Sequence, residues 1–320
     1  MHSATLAATG SFLLGVLLLA LGGDSIVKAA SGLAQRFGAS PFLAGLLLVA
    51  FGTSLPELAV NVRAIAGGME ELALGNAIGS NIANVGLTLG VAALAAPLAV
   101  RMRLLAPLLV VLVLATLALI GFGLDGVIGR IEGGVLLLAF CVLVALLPSR
   151  VRHEPAAVRE SVEGFAATRT ELQLNLLRLV VAMLLLYFGA GLVVRPAPVL
   201  GEAMGLSPLL VGLLPVAIVT ALPEMAAAIA AARRGQGDMV VGHVLGSSLF
   251  NLLVIVGGMA LWRPLVLPAS FVRLELPAAI AFALVLYPML RGDLRVSRVE
   301  GGILFVAFLG WVVLELALLG

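Results

Sequence analysis

Charge is what this chain has least of: Asp, Glu, Lys and Arg make up 11% of 320 residues, under half the roughly 25% of a soluble domain. It has one cysteine, Cys141, so neither a disulfide framework nor a thiolate metal centre can form. Set in an apolar run, Cys141 reads as a small buried hydrophobe. Of three histidines, His2 and His153 fall at the terminus and in the most polar stretch. That leaves little for a membrane-embedded hydrolase, which needs a nucleophile beside a base. A single lysine, Lys28, accompanies arginines that sit between apolar runs, so the cations report topology and not an anionic partner. What is abundant is hydrocarbon: 62% of residues are apolar and mean hydropathy is +1.20, too much for one water-soluble core. Soluble enzymes and nucleic-acid binders are excluded. Membrane lipid is the expected surrounding, and no obligate protein partner is indicated.

Ten stretches are long enough to cross about 30 Å of hydrocarbon, at 4–24, 39–65, 71–97, 104–124, 127–148, 176–195, 206–232, 238–262, 271–290 and 299–319. Met1–Gly22 lacks a cationic start and a small-residue cleavage site, and reads as a retained span. The polar segment 149–175 carries Arg150, Arg152, Arg159 and Arg169 with Glu154, Glu160, Glu163 and Glu171. It reads as a solvated linker between halves 1–148 and 176–320. With loops alternating sides, five of 19 cations (Arg63, Arg130, Arg195, Arg263, Arg273) fall opposite the linker and the rest on its side. The positive-inside rule makes the linker cytoplasmic and both termini extracytoplasmic.

Sliding the sequence by 167 residues aligns 38–90 with 205–257 without a gap, with 21 of 53 positions identical. The matches include Ser40-Pro41 with Ser207-Pro208, Thr53 with Thr220, Pro56-Glu57 with Pro223-Glu224, Gly79-Ser80 with Gly246-Ser247, and Asn84 with Asn251. An odd number of spans separates equivalent points, so the second copy enters the membrane from the opposite side. The expected fold is all-α: ten transmembrane helices in two inverted-topology five-helix repeats. Such repeats meet at a midplane site lined by interrupted helices.

Glu57 and Glu224 fall near the centres of their spans, where a charge costs at least about 2.5–3.5 kcal/mol. A bound cation is the simplest compensation. Pro56 and Pro223 have no N–H for the carbonyls of Gly52 and Val219, so each helix is expected to open just before its acid. Thr53 and Ser54 share a helix face with Glu57, as Thr220 does with Glu224. Ser80 and Asn84, and Ser247 and Asn251, are likewise one turn apart; interhelical hydrogen bonding is as good a reading of these four as ligation. The inventory is oxygen only, which suits a hard cation: Ca²⁺ with six to eight flexible ligands more than Mg²⁺. Two acids left without a divalent ion recruit protons or monovalent cations, so exchange of Ca²⁺ against Na⁺ or H⁺ follows.

At FGTSLPE (51–57) with GNAIGSNIAN (75–84), and VTALPE (219–224) with GHVLGSSLFN (242–251), the chain resembles the sodium/calcium exchanger family of the calcium:cation antiporter superfamily, particularly its short prokaryotic members. The resemblance implies a prokaryotic cell-membrane antiporter that needs no cofactor, with Ca²⁺ and Na⁺ or H⁺ as transported ions. It implies that Glu57 and Glu224 bind Ca²⁺ centrally, while Thr53, Ser54, Ser80, Asn84, Thr220, Ser247 and the backbone carbonyls of Ala50 and Ala217 complete the sites. It also implies that spans one and six slide past the core. The second copy departs from the family: Val219-Thr220-Ala221 replaces Gly-Thr-Ser, Asn251 stands where many members carry Asp, and His243 replaces a common Asn near the cytoplasmic mouth. His243 reads as a hydrogen-bonded structural residue. Asp24 is expected to pair with Lys28, and Glu315, without a repeat mate, to be peripheral. A channel is the other class left open, but the inverted repeat favours alternating access.

Overall fold

In lipid every backbone N–H and C=O must be satisfied within its own segment, and the apolar runs accordingly become helices. The computed structural model describes residues 2–37, 51–151, 154–166, 168–291 and 294–319. In chain order the helices are α1 (His2–Arg36), α2 (Leu55–Ala66), α3 (Glu70–Ala95), α4 (Leu105–Phe122), α5 (Arg130–Val151), α6 (Ala156–Ala166), α7 (Leu172–Val194), α8 (Ala197–Met204), α9 (Pro208–Arg233), α10 (Gly237–Trp262), α11 (Glu275–Arg291) and α12 (Arg298–Leu319). Four two-residue strands join them: β1 (Leu98–Ala99), β2 (Val127–Ile128), β3 (Leu265–Val266) and β4 (Arg295–Val296).

Among the described residues, eight segments are long and apolar enough to cross a membrane: α1, α3, α4, α5, the run Leu172–Met204 that holds α7 and α8, α9, α10 and α12. The expected ten are thus not reached by the described residues alone. The second expected span is described only from Phe51 onward, and its α2 has 12 residues. The ninth, α11, is a shorter apolar helix. Span one runs on to Arg36; 35 residues at about 1.5 Å each exceed the hydrocarbon thickness, so α1 tilts or protrudes.

The outer faces are apolar: Leu13, Leu17 and Leu21 on α1, and Leu177, Met183 and Phe188 on α7, are all exposed. Cys141 is exposed too, which corrects its expected burial. It lies on the outward face of α5 with Leu138 and Val142, and a lipid-facing position is as apolar as a core. Segment 149–175 is more than a solvated connection. Its helix α6 buries Val158 and Val162, and Glu154 accepts hydrogen bonds from the backbone N–H groups of Arg103 (2.9 Å) and Leu104 (2.8 Å).

The halves correspond element by element. Strand β1 pairs antiparallel with β4, Leu98 opposite Val296, and β2 pairs with β3, Ile128 opposite Leu265. The second pair repeats the first at offsets of 167 and 168 residues. Helix crossings repeat in the same way. A Cβ on Gly301 of α12 would lie 2.8 Å from the Gly90 carbonyl oxygen of α3, and one on Gly133 of α5 would lie 2.6 Å from that of Gly257 of α10. The long helices α1 and α7 cross where a Cβ on Gly15 would meet the Gly189 carbonyl oxygen at 2.8 Å. Membrane helices gain little from hydrophobic exclusion and depend on close backbone approach of this kind.

Gly133→Leu should therefore lower stability in detergent by at least about 1–3 kcal/mol through overpacking. The adjacent Gly134, with nothing within 4 Å of its would-be Cβ, should accept leucine without loss. Thermal unfolding of the two variants checks the contrast.

Candidate functional site

The first copy breaks its helix where expected. Gly52–Ser54 forms a tight 3₁₀ turn, and α2 begins at Leu55 with Pro56 in its first turn. Glu57 therefore lies in the first turn of α2, where free N–H groups and the helix dipole favour a negative charge. The second copy solves the same problem differently. Ala217–Arg233 is continuous through Pro223, and the break lies upstream in a wide, π-type turn at Gly212–Val216 that contains Pro215. The expected opening at Val219 is thus displaced. Pro215 has no N–H to give the helix there; its counterpart in the first copy, Leu48, lies outside the described residues. Two further wide turns, Asn84–Leu89 and Asn251–Val256, each open at a predicted ligand; π-bulges of this kind mark functional sites.

These turns bring both copies to one buried locus. Glu57 is 1% exposed and Glu224 8%, and the two carboxylates are close enough for their charges to act on each other. Ser54 Oγ donates to Ser247 Oγ at 2.6 Å, and Asn84 Nδ2 donates to the same oxygen at 3.0 Å. Both contacts join residues of opposite copies. Thr220 donates to the carbonyls of Val216 (2.9 Å) and Ala217 (3.1 Å) in its own helix, so Ala217 already has one donor. Ser80 is buried beside them in sequence, its hydroxyl without a hydrogen-bond partner. Ala50 lies outside the described residues.

Two residues missed in the sequence join the site. Asn81 accepts from Asn251 Nδ2 at 3.0 Å and donates to the Ser248 carbonyl at 3.2 Å. A third polar residue between Ser80 and Asn84 in an apolar helix was the available signal. His243 is hydrogen-bonded, as expected, but it stands in the site: Nδ1 is 2.8 Å from Thr53 Oγ1 and Nε2 is 3.3 Å from Glu224 Oε2. Its contact with Thr53 spans 190 residues, which no local pattern reveals. Asp24 pairs with Lys28 at 2.6 Å. Glu315, expected to be peripheral, is fully buried and near enough to Glu275 to feel its charge.

Several buried oxygens here meet no donor among the described residues: Glu57 Oε2, Glu224 Oε1, Asn84 Oδ1 and Asn251 Oδ1. Each such acceptor costs about 1–3 kcal/mol unless something satisfies it, and a cation does so for all of them together. Among the described residues no group of three or more His, Cys, Asp and Glu side chains could hold a metal ion. An ion held here must draw on hydroxyl, amide and backbone oxygens besides the acids, a donor set that fits Ca²⁺. A cavity of about 220 Å³ reaches Thr53, Thr220 and Glu224 from Asp24, and a second, of about 70 Å³, reaches Thr53, Glu224 and His243 past Met239.

Ser247→Ala removes the shared acceptor of Ser54 and Asn84 and should destabilise the protein by about 1–3 kcal/mol. Ser248→Ala deletes a hydroxyl that has no partner and should change stability little. Thermal unfolding in detergent distinguishes them.

A sequence profile described as "Sodium/calcium exchanger protein" matches residues 7–147 and 174–317. The Escherichia coli inner membrane protein YrbG is 33% identical, covering 96% of this chain and 98% of that protein. The sodium/calcium exchanger MaX1 of Methanosarcina acetivorans is 29% identical, covering 94% and 96%. A solved structure of the sodium-calcium exchanger NCX_Mj is similar with a TM-score of 0.67 at 28% identity, over 99% of this chain and 100% of that one. With two equivalent acids buried where two copies of one motif meet, this membrane protein belongs to the sodium/calcium exchanger family, a family of transporters.

Proposed function

We propose that this chain is a secondary active antiporter that exports Ca²⁺ in exchange for Na⁺ by alternating access. Its site takes Glu57, Glu224, Thr53, Ser54, Thr220, Ser80, Asn84, Ser247 and Asn251, with the carbonyls of Ala50 and Ala217, as ligands. The observation that carries this reading is the meeting of Glu57 and Glu224, one from each copy, inside an apolar protein beside buried oxygens that lack donors among the described residues. Two carboxylates balance one divalent ion, and when it leaves they need monovalent cations in its place. That is the logic of exchange.

The names of MaX1 and NCX_Mj support Na⁺ and Ca²⁺ as the ions. The paired strands and glycine crossings at offsets of 167 and 168 support ten spans in two inverted five-span halves, with α2 and α11 as the second and ninth. We place the halves at 1–148 and 176–320, the repeats at 38–90 and 205–257, the linker 149–175 in the cytoplasm and both termini outside, in a prokaryotic inner membrane. A second reading, with H⁺ as the coupling ion, is favoured by Ala221 and Asn251, which withhold one hydroxyl and one carboxylate from a Na⁺ complement.

The test is radiolabelled Ca²⁺ flux in proteoliposomes under an imposed Na⁺ gradient compared with a pH gradient. Flux driven by Na⁺ alone is expected, and flux that follows only the pH gradient would transfer the coupling to H⁺. Glu57→Gln and Glu224→Gln should each weaken Ca²⁺ binding by about 2–5 kcal/mol, roughly thirty- to several-thousand-fold, because the bound dication is left with one buried positive charge unbalanced. Substantial transport in either variant refutes the site. Restoring Ala221→Ser with Asn251→Asp should steepen Na⁺ activation of the flux.

A further inference from the structure

Every donor invoked so far is oxygen, yet one nitrogen reaches the same place. We infer that His243 and Glu224 form a two-donor clamp for a divalent cation that accepts nitrogen, of the Mn²⁺ and Zn²⁺ class. The clamp widens the cargo of the site beyond Ca²⁺. The inference deepens the antiporter reading and, for transport, rests on it.

The geometry has three parts. First, Nε2 of His243 lies 3.3 Å from Glu224 Oε2. A charge-assisted hydrogen bond is shorter, about 2.7–2.9 Å. Two donors each about 2.1 Å from a shared ion, at an angle between tetrahedral and octahedral, stand about 3.0–3.4 Å apart. Second, Nδ1 is 2.8 Å from Thr53 Oγ1. The tautomer in which Nδ1–H donates to that hydroxyl places the Nε2 lone pair on the Glu224 side, and metal-bound imidazoles are oriented by such outer partners. Third, the cavity of about 70 Å³ is lined by this pair, and its remaining lining is Thr53, three alanines, Val240 and Met239. Met239 lies one helical turn before His243, so this cavity offers imidazole, carboxylate and sulfur, with the Thr53 hydroxyl beside them.

The clamp is one-sided. At the equivalent position of the first copy stands Asn76, fully buried with neither amide atom bonded. Ca²⁺ takes oxygen ligands and gains nothing from a nitrogen, whereas imidazole suits Zn²⁺ and its neighbours and carboxylate suits Mn²⁺. The substitution of His243 for a second Asn therefore bears on ion identity more than on folding.

Mn²⁺ bound to the purified protein in lipid nanodiscs, followed by electron spin-echo spectroscopy, reads the contact directly. Wild type should show coupling of bound Mn²⁺ to an imidazole nitrogen. His243→Asn, which copies Asn76, should abolish that coupling and shift the ratio of Mn²⁺ to Ca²⁺ affinity at least tenfold toward Ca²⁺. His243→Gln serves as the second variant if the first does not fold. Mn²⁺ bound without nitrogen coupling, no Mn²⁺ binding to wild type, or an unchanged affinity ratio in a folded variant overturns the clamp. Failure of the antiporter reading shows differently: nitrogen-coupled Mn²⁺ in wild type with no divalent flux under any gradient.

Discussion

Two acids held together away from water set the terms for the rest of this protein. Alone, each carboxylate costs several kcal/mol inside a bilayer, and their proximity adds repulsion. Only a cation relieves both at once. Four devices serve that end: the tight turn before Glu57, the wide turns at Asn84 and Asn251, the serine pair between copies and the amide pair Asn81–Asn251. Each turns an oxygen away from its own helix or fixes it between copies. A regular helix would bond its own carbonyls, and a dry apolar bundle would have no donors to offer an ion.

A site with several oxygens left unpaired is a standing cost, and it has to be offset elsewhere. The offset lies in the crossings of α3 with α12, α5 with α10 and α1 with α7, where glycine lets backbones touch. Short strand pairs tie Leu98 to Val296 and Ile128 to Leu265. Asp238 at the start of α10 accepts from the backbone N–H groups of Arg101 and Met102, and Arg263 donates to Glu70 at the start of α3. These links join one half to the other at matching places, so the scaffold is symmetric even where the site is not.

What could be read without coordinates was whatever depends on pattern along the chain. The 167-residue offset, Glu57 with Glu224, and the serines and asparagines one turn apart are all periodic. What escaped depends on how helices turn toward each other. Cys141 sits in a run as apolar as the core, and no hydropathy separates lipid from protein interior. Pro223 and Pro56 look identical in sequence, but the break in the second copy lies in the turn that contains Pro215. His243 looked like a solitary histidine because its partners are Thr53, 190 positions away, and Glu224 on the neighbouring helix.

That histidine also breaks the equivalence of the copies in energy. In an inverted repeat with identical halves, alternating access exchanges the roles of the copies and the two end states are mirror images of equal free energy. Here the link Thr53–His243–Glu224 exists once. Its mirror would join Thr220, Asn76 and Glu57, but Thr220 bonds its own helix and Asn76 is unpartnered. The Thr53–His243 hydrogen bond is worth about 0.5–1.5 kcal/mol, which corresponds to about a two- to tenfold difference in population. The contact from Thr53 to His243 is therefore one that the two copies do not share, and it is where the symmetry of the scaffold ends.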